Sequence, residues 1–243
     1  MKKAFLKIVA IFIIGFSGGL LANYYNYSQL KGQIDNLITE KNLLSQKMCS
    51  DEKNFSSGEK EDSLKELVGR VEKSVVGIRT ETRNKKVILG SGFVITSDGL
   101  IITLADIVPP GEKFVFWING KEVNYQVLKR DLKNNLALIR IKDDSGFLTT
   151  PFVNPEDLLT GEKIFVLGLI LFNKDKAVKI VNTGIIRSLE LDEDITTNIK
   201  EDVYLKGGPV FDFKGKFIGL AEINKEGELK IIPPQVIHQF IGF

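Results

Sequence analysis

Tyr204-Leu205-Lys206-Gly207-Gly208-Pro209-Val210, running on into Phe211-Asp212-Phe213-Lys214-Gly215-Lys216-Phe217-Ile218-Gly219-Leu220, decides the fold. Two glycines and a proline in succession mark a tight backbone passage. The apolar runs that follow read as a hairpin of two strands. The residue immediately ahead of the glycines is a lysine, Lys206.

Outward from that hairpin the same alphabet recurs. Short β-branched and aromatic runs alternate with turn signals. Ser74–Thr80, Val87–Thr96, Leu100–Thr103, Phe114–Ile118, Glu122–Leu128 and Leu136–Ile141 form a first set of predicted strands. Asn119-Gly120 between two of them is a signal for a type I′ hairpin. After Asp143-Asp144-Ser145-Gly146 a second set follows: Lys163–Leu171, Lys179–Arg187, Val210–Phe213, Lys216–Ile223 and Leu229–Ile232. Within this body, helical spacing is confined to Ser63–Lys73 and to a terminal segment after Pro233-Pro234. Two similar sets of short strands with almost no helix predict an all-β body built as two packed β-barrels.

The first third of the chain reads differently. Lys2 and Lys3 precede an apolar span, Ala4–Ala22, in which only Lys7 is charged. That is just long enough to cross a bilayer as a helix of ~20 residues. Tyr24, Tyr25 and Tyr27 stand where an aromatic belt would lie, and the basic end belongs on the cytoplasmic side. Residues 1–27 are thus expected to be a single-pass transmembrane anchor and its interface, with the rest of the chain extracytoplasmic. A cleaved signal peptide with its site at Ser17-Gly18-Gly19 is the competing reading. Residues 28–49 are expected to be a stalk helix. Its stripe of Leu30, Ile34, Leu37, Leu44 and Met48 would serve either as a coiled coil, giving a homo-oligomer through residues 30–48, or as one face of a lone amphipathic helix. Residues 50–62 are polar and aperiodic, a linker. Residues 63–243 are the body.

Composition narrows the chemistry. Once Lys2, Lys3 and Lys7 are set aside, residues 23–243 carry 30 basic and 31 acidic groups. That balance gives no reason to bind nucleic acid. Cys49 is the only cysteine, so an intrachain disulfide and a CxxC motif are excluded. His238 is the only histidine, on the terminal helix, although histidine is the usual base near neutral pH. The pattern predicts no cofactor and no metal.

Five segments in order carry a resemblance. They are Ser74-Val75-Val76-Gly77-Ile78, Gly90–Thr103 (GSGFVITSDGLIIT), Arg130–Ile141 (RDLKNNLALIRI), Asn154–Gly168 with Asn182–Ile186, and the Gly207-Gly208-Pro209 passage. Over about residues 64–241 the body resembles the trypsin-like domain of HtrA-type serine proteases. The resemblance implies two packed Greek-key β-barrels with a catalytic cleft between them. It also implies that the triad positions are changed: Asp106 stands at the histidine position, Asn135 at the aspartate position and Lys206 at the serine position. The loop ahead of Lys206 is about three residues shorter than the family's, so the oxyanion hole is not expected to form. A peptide partner would pair along Leu220, Ala221, Glu222 and Ile223.

Three functions follow as expectations. One is a membrane-anchored pseudoprotease that binds a peptide or protein. Another is a hydrolase with relocated catalytic residues. The third is an inert stalk and head. For the vacated site, Asp106 and Lys206 are of opposite charge and are expected to pair, with Asn135 hydrogen-bonding nearby. Lys206 swung into solvent on its long stem is the alternative.

Overall fold

The computed structural model describes residues 63–142, 146–173, 176–189 and 195–242. The expected anchor, stalk and linker, together with Cys49, lie outside the described residues. Among the described residues no helix is long and apolar enough to cross a membrane.

Twelve strands make two closed antiparallel barrels. The first holds β1 (Val75–Glu81), β2 (Val87–Val94), β3 (Leu100–Leu104), β4 (Lys113–Ile118), β5 (Lys121–Asp131) and β6 (Leu136–Lys142). The second holds β7 (Lys163–Asn173), β8 (Lys176–Ser188), β9 (Ile195–Lys200), β10 (Pro209–Asp212), β11 (Phe217–Ile223) and β12 (Glu228–Ile232). Around the first barrel the order is β1-β2-β3-β6-β5-β4, closed by β4 on β1. Around the second it is β7-β8-β9-β12-β11-β10, closed by β10 on β7. The two orders are the same. The third strand of each barrel pairs with its sixth, which is the Greek-key return expected of the fold.

Local chemistry explains the elements. Ser63 caps helix α1 (Leu64–Val71), its hydroxyl accepting from the Glu66 amide at 3.4 Å. Asn119 and Gly120 both have positive φ, 51° and 81°, as a type I′ turn requires. β9 was not anticipated, although Ile195, Thr197 and Ile199 alternate inward with Thr196, Asn198 and Lys200 outward. Pro234 opens the terminal helix α2 (Pro234–Ile241) and Gly242 ends it in the left-handed conformation.

The barrels share a core. Phe93 of β2 stacks on Phe217 of β11 at 4.2 Å and meets Phe211 of β10 edge-on at 5.7 Å. Phe165 of β7 stacks on Phe211 at 5.2 Å. All four rings are fully buried. Polar ties cross the same seam. The buried Ser91 hydroxyl accepts from the Leu169 amide at 2.9 Å, and its own amide donates to the Lys206 carbonyl at 2.9 Å. The Thr103 hydroxyl donates to the Ser91 carbonyl at 2.6 Å. This is what the GSG motif does: its serine binds β2 both to β7 and to the passage that carries Lys206.

Candidate functional site

Three backbone devices bring the site together. β3 ends at Leu104, and the turn that follows presents Asp106. The chain entering β6 passes through Asn135 at φ 52°. A 3-10 turn over Val203–Leu205 delivers Lys206 to the double glycine.

The Lys206 Nζ donates to Asp106 Oδ2 at 2.8 Å, so the opposite charges do pair. Asn135 holds the Asp106 turn from behind. Its Oδ1 accepts from the Asp106 amide and its carbonyl from the Ala105 amide, each at 3.0 Å. Its Nδ2 donates to Glu222 Oε1 at 2.8 Å. A continuous polar chain thus runs from Lys206 through Asp106 and Asn135 to Glu222, from the second barrel to the first and back. Glu222 is the member that sequence reasoning missed in this role, because no motif places a strand carboxylate against a loop 87 residues earlier. The ion pair is partly solvated, with side-chain exposures of 25% for Lys206 and 42% for Asp106. Such a pair contributes ~0–1 kcal/mol, so it sets geometry more than stability.

The backbone around Lys206 points inward. The amides of Leu205 and Lys206 donate to the carbonyls of Asp202 and Val203 inside the 3-10 turn, at 3.1 and 3.3 Å. Those of Gly207 and Gly208 donate to Ala221 and Leu205, at 2.8 and 3.0 Å. Four successive amides, those of Leu205 to Gly208, therefore each have an acceptor within the protein. His238 is on α2, its ring 4.5 Å from that of Phe152. Among the described residues no group of three His, Cys, Asp or Glu side chains is placed to hold a metal ion.

The strand nominated for a peptide is already engaged. Leu220, Ala221, Glu222 and Ile223 pair with Ile232, Ile231, Lys230 and Leu229 of β12. On the other side Pro209 pairs with Leu220, and Ala221 exchanges both backbone groups with Gly207 and Gly208. Leu220, Ala221 and Ile223 are buried. A ligand on that side finds only the Glu222–Ile223 end. Beside it, Val203, Tyr204 and Phe172 are exposed, with the Phe172 and Tyr204 rings 6.3 Å apart.

The comparisons with known proteins agree with this architecture. The trypsin-like peptidase domain family matches residues 90–220. A probable periplasmic serine endoprotease DegP-like of Halomonas elongata is 31% identical over 140 residues, 54% of this chain and 28% of that protein. Serine protease HTR4 of Rattus norvegicus is 28% identical over 166 residues, 63% of this chain and 33% of that protein. Anti-sigma-I factor RsgI9 of Acetivibrio thermocellus is 25% identical over 187 residues, 69% of this chain and 24% of that protein. The chain spans about a third or less of the length of these relatives. Matched over more than half its length and folded as two six-stranded barrels, the chain belongs to the trypsin-like peptidase family, with an HtrA-type domain.

Proposed function

We propose that this is a trypsin-like domain that has given up proteolysis and acts by binding, held outside the cytoplasm by a membrane anchor in residues 1–27. The observation that carries the reading is the Lys206–Asp106 ion pair at 2.8 Å. Acyl transfer in this family needs a hydroxyl nucleophile, a base to take its proton, a carboxylate to orient the base, and amides aimed at the oxyanion. Lys206 offers an ammonium at the nucleophile position. Asp106 at the base position neutralises it, and Asn135 at the orienting position is an amide. A lysine can act as an amine nucleophile only when desolvated and deprotonated, whereas this one is partly solvated and paired. The chain's single histidine packs against Phe152. One relative in this family bears the name of an anti-sigma factor instead of a protease, which agrees with a binding role for such a domain.

The test is turnover of an unfolded protein substrate by the full chain in detergent. No cleavage above the buffer control is expected. Lys206→Ser alone is expected to stay inactive, because position 106 still lacks an imidazole. Cleavage by the wild type that persists through independent purifications and is lost in Lys206→Ala would overturn the reading.

The anchor has its own test. A membrane-impermeant maleimide added to intact cells, with a reductant to keep the thiol free, is expected to label Cys49, the only cysteine. Labelling confined to lysed cells would place the body on the other side of the membrane.

A further inference from the structure

β8 is longer than the strand beside it. It runs from Lys176 to Ser188, whereas β9 has only the six residues Ile195–Lys200. β7 pairs with β8 from Lys163 to Asn173, but β9 pairs with it only at Ile186 and Ser188. The Ile186 amide and carbonyl bond to Glu162 and Gly161, on the β7 side. Even-numbered residues of β8 therefore turn their backbone groups towards β7, and odd-numbered residues turn theirs away.

What those outward groups meet changes along the strand. The amides of Ile185 and Thr183 donate to side-chain oxygens, Asn198 Oδ1 at 2.8 Å and Asn182 Oδ1 at 2.7 Å. Beyond Asn182 the neighbouring strand has run out. Its chain is held at Glu201 by Asn182 Nδ2 at 2.6 Å and then turns off towards Lys206. The outward N–H and C=O groups of Val181, Lys179 and Ala177 face no described strand. Val181 is 37% exposed.

Charge and shape say what would cover this edge. β8 carries Lys176, Lys179 and Arg187 and no carboxylate, although Lys179 is already bonded to Glu72. A second copy laid alongside would set like charges together, which disfavours pairing, and lysines on open edges act in that way. A strand bearing carboxylates has the opposite sign. Ala177 and Lys179 also border a hollow of about 410 Å³ whose wall of Val75, Trp117 and Leu169 suits an apolar side chain, while Lys73 on its rim adds a positive charge beside the Lys179–Glu72 pair.

We propose that the overhang Ala177–Val181 accepts an extended acidic segment of a partner protein as an added antiparallel strand. Main-chain hydrogen bonds supply the pairing, Lys176 and Lys73 select for carboxylates, and the hollow receives an apolar side chain. The edge is separate from the Lys206 cleft and does not depend on whether that cleft hydrolyses anything.

The test titrates the full chain in detergent micelles with a short fluorescent peptide that alternates glutamate with valine and phenylalanine, read by anisotropy. Saturable binding is expected. N-methylation of alternate peptide amides should weaken it at least ~10-fold, as should lysine in place of glutamate. Val181→Pro removes an outward N–H and leaves the ladder to β7 intact, so it should weaken binding equally at an unchanged melting temperature. Should that variant fail to fold, the methylated peptide decides alone. Equal binding of the methylated and unmethylated peptides, or no binding of the acidic peptide, overturns the proposal. So does a dimer of the chain that forms in place of peptide binding.

Discussion

Gly207→Ala is expected to destabilise the chain by roughly 3–5 kcal/mol, enough to lower its melting temperature by about 10 °C. Gly207 sits at φ +71°, where a side chain alone costs ~1–3 kcal/mol. Space adds to that cost. A Cβ there would stand 2.3 Å from the Ser91 carbonyl oxygen, 2.8 Å from Thr103 Oγ1 and 2.9 Å from Ile107 Cδ1. The first of these is backbone and cannot swing away. Ser91 is fixed by its bonds to Leu169, Thr103 and Lys206, so moving it loosens both barrels. A urea melt of the full chain, monitored by tyrosine and tryptophan fluorescence, measures the loss. A change below ~1 kcal/mol would mean that the passage can shift more freely than its bonds imply.

Phe217→Ala is expected to cost a similar amount, about 3–5 kcal/mol, by leaving a cavity where three rings converge. Phe217 is stacked on Phe93 at 4.2 Å and meets Phe152 and Phe211 edge-on, at 4.9 and 6.1 Å. Phe217→Leu keeps most of the volume and should cost less than ~2 kcal/mol. Phe93→Ala combined with Phe217→Ala should fall short of the sum of the single losses, because one cavity is being emptied twice. Additive losses would show that the two rings do not share a pocket.

The strands were legible because they are short, apolar and separated by turn residues, and the Asn119-Gly120 hairpin was legible down to its turn type. β9 was not read, since Ile-Thr-Thr-Asn-Ile-Lys carries only two apolar side chains and its third inward residue is a threonine. β8 was expected from Lys179 and begins at Lys176. The three extra residues, Lys176-Ala177-Val178, lengthen the overhang at its start and are too few for a period to show. The Lys206–Asp106 pair, 100 residues apart, was reachable only through resemblance to a known fold. No local pattern relates the two. The bond from Asn135 to Glu222 and the one from the Gly207 amide to Ala221 follow from barrel closure. Closure depends on distant pairings that no window of sequence contains.

The shared aromatic core also sets the order in which this protein can be made. Phe93 is synthesised more than a hundred residues before Phe217, the ring it stacks on. Ile237 and Phe240 of α2, made after every strand of both barrels, pack into the same core as α1 and the first barrel. Lys129 of β5 lies over the Phe240 ring at 4.4 Å. The first barrel to emerge is therefore the one that must wait, its apolar seam open until α2 has been made. Domains whose early half depends on late residues in this way spend their nascent life exposed to misassembly. For this one, the first barrel is complete only once α2 has docked on it.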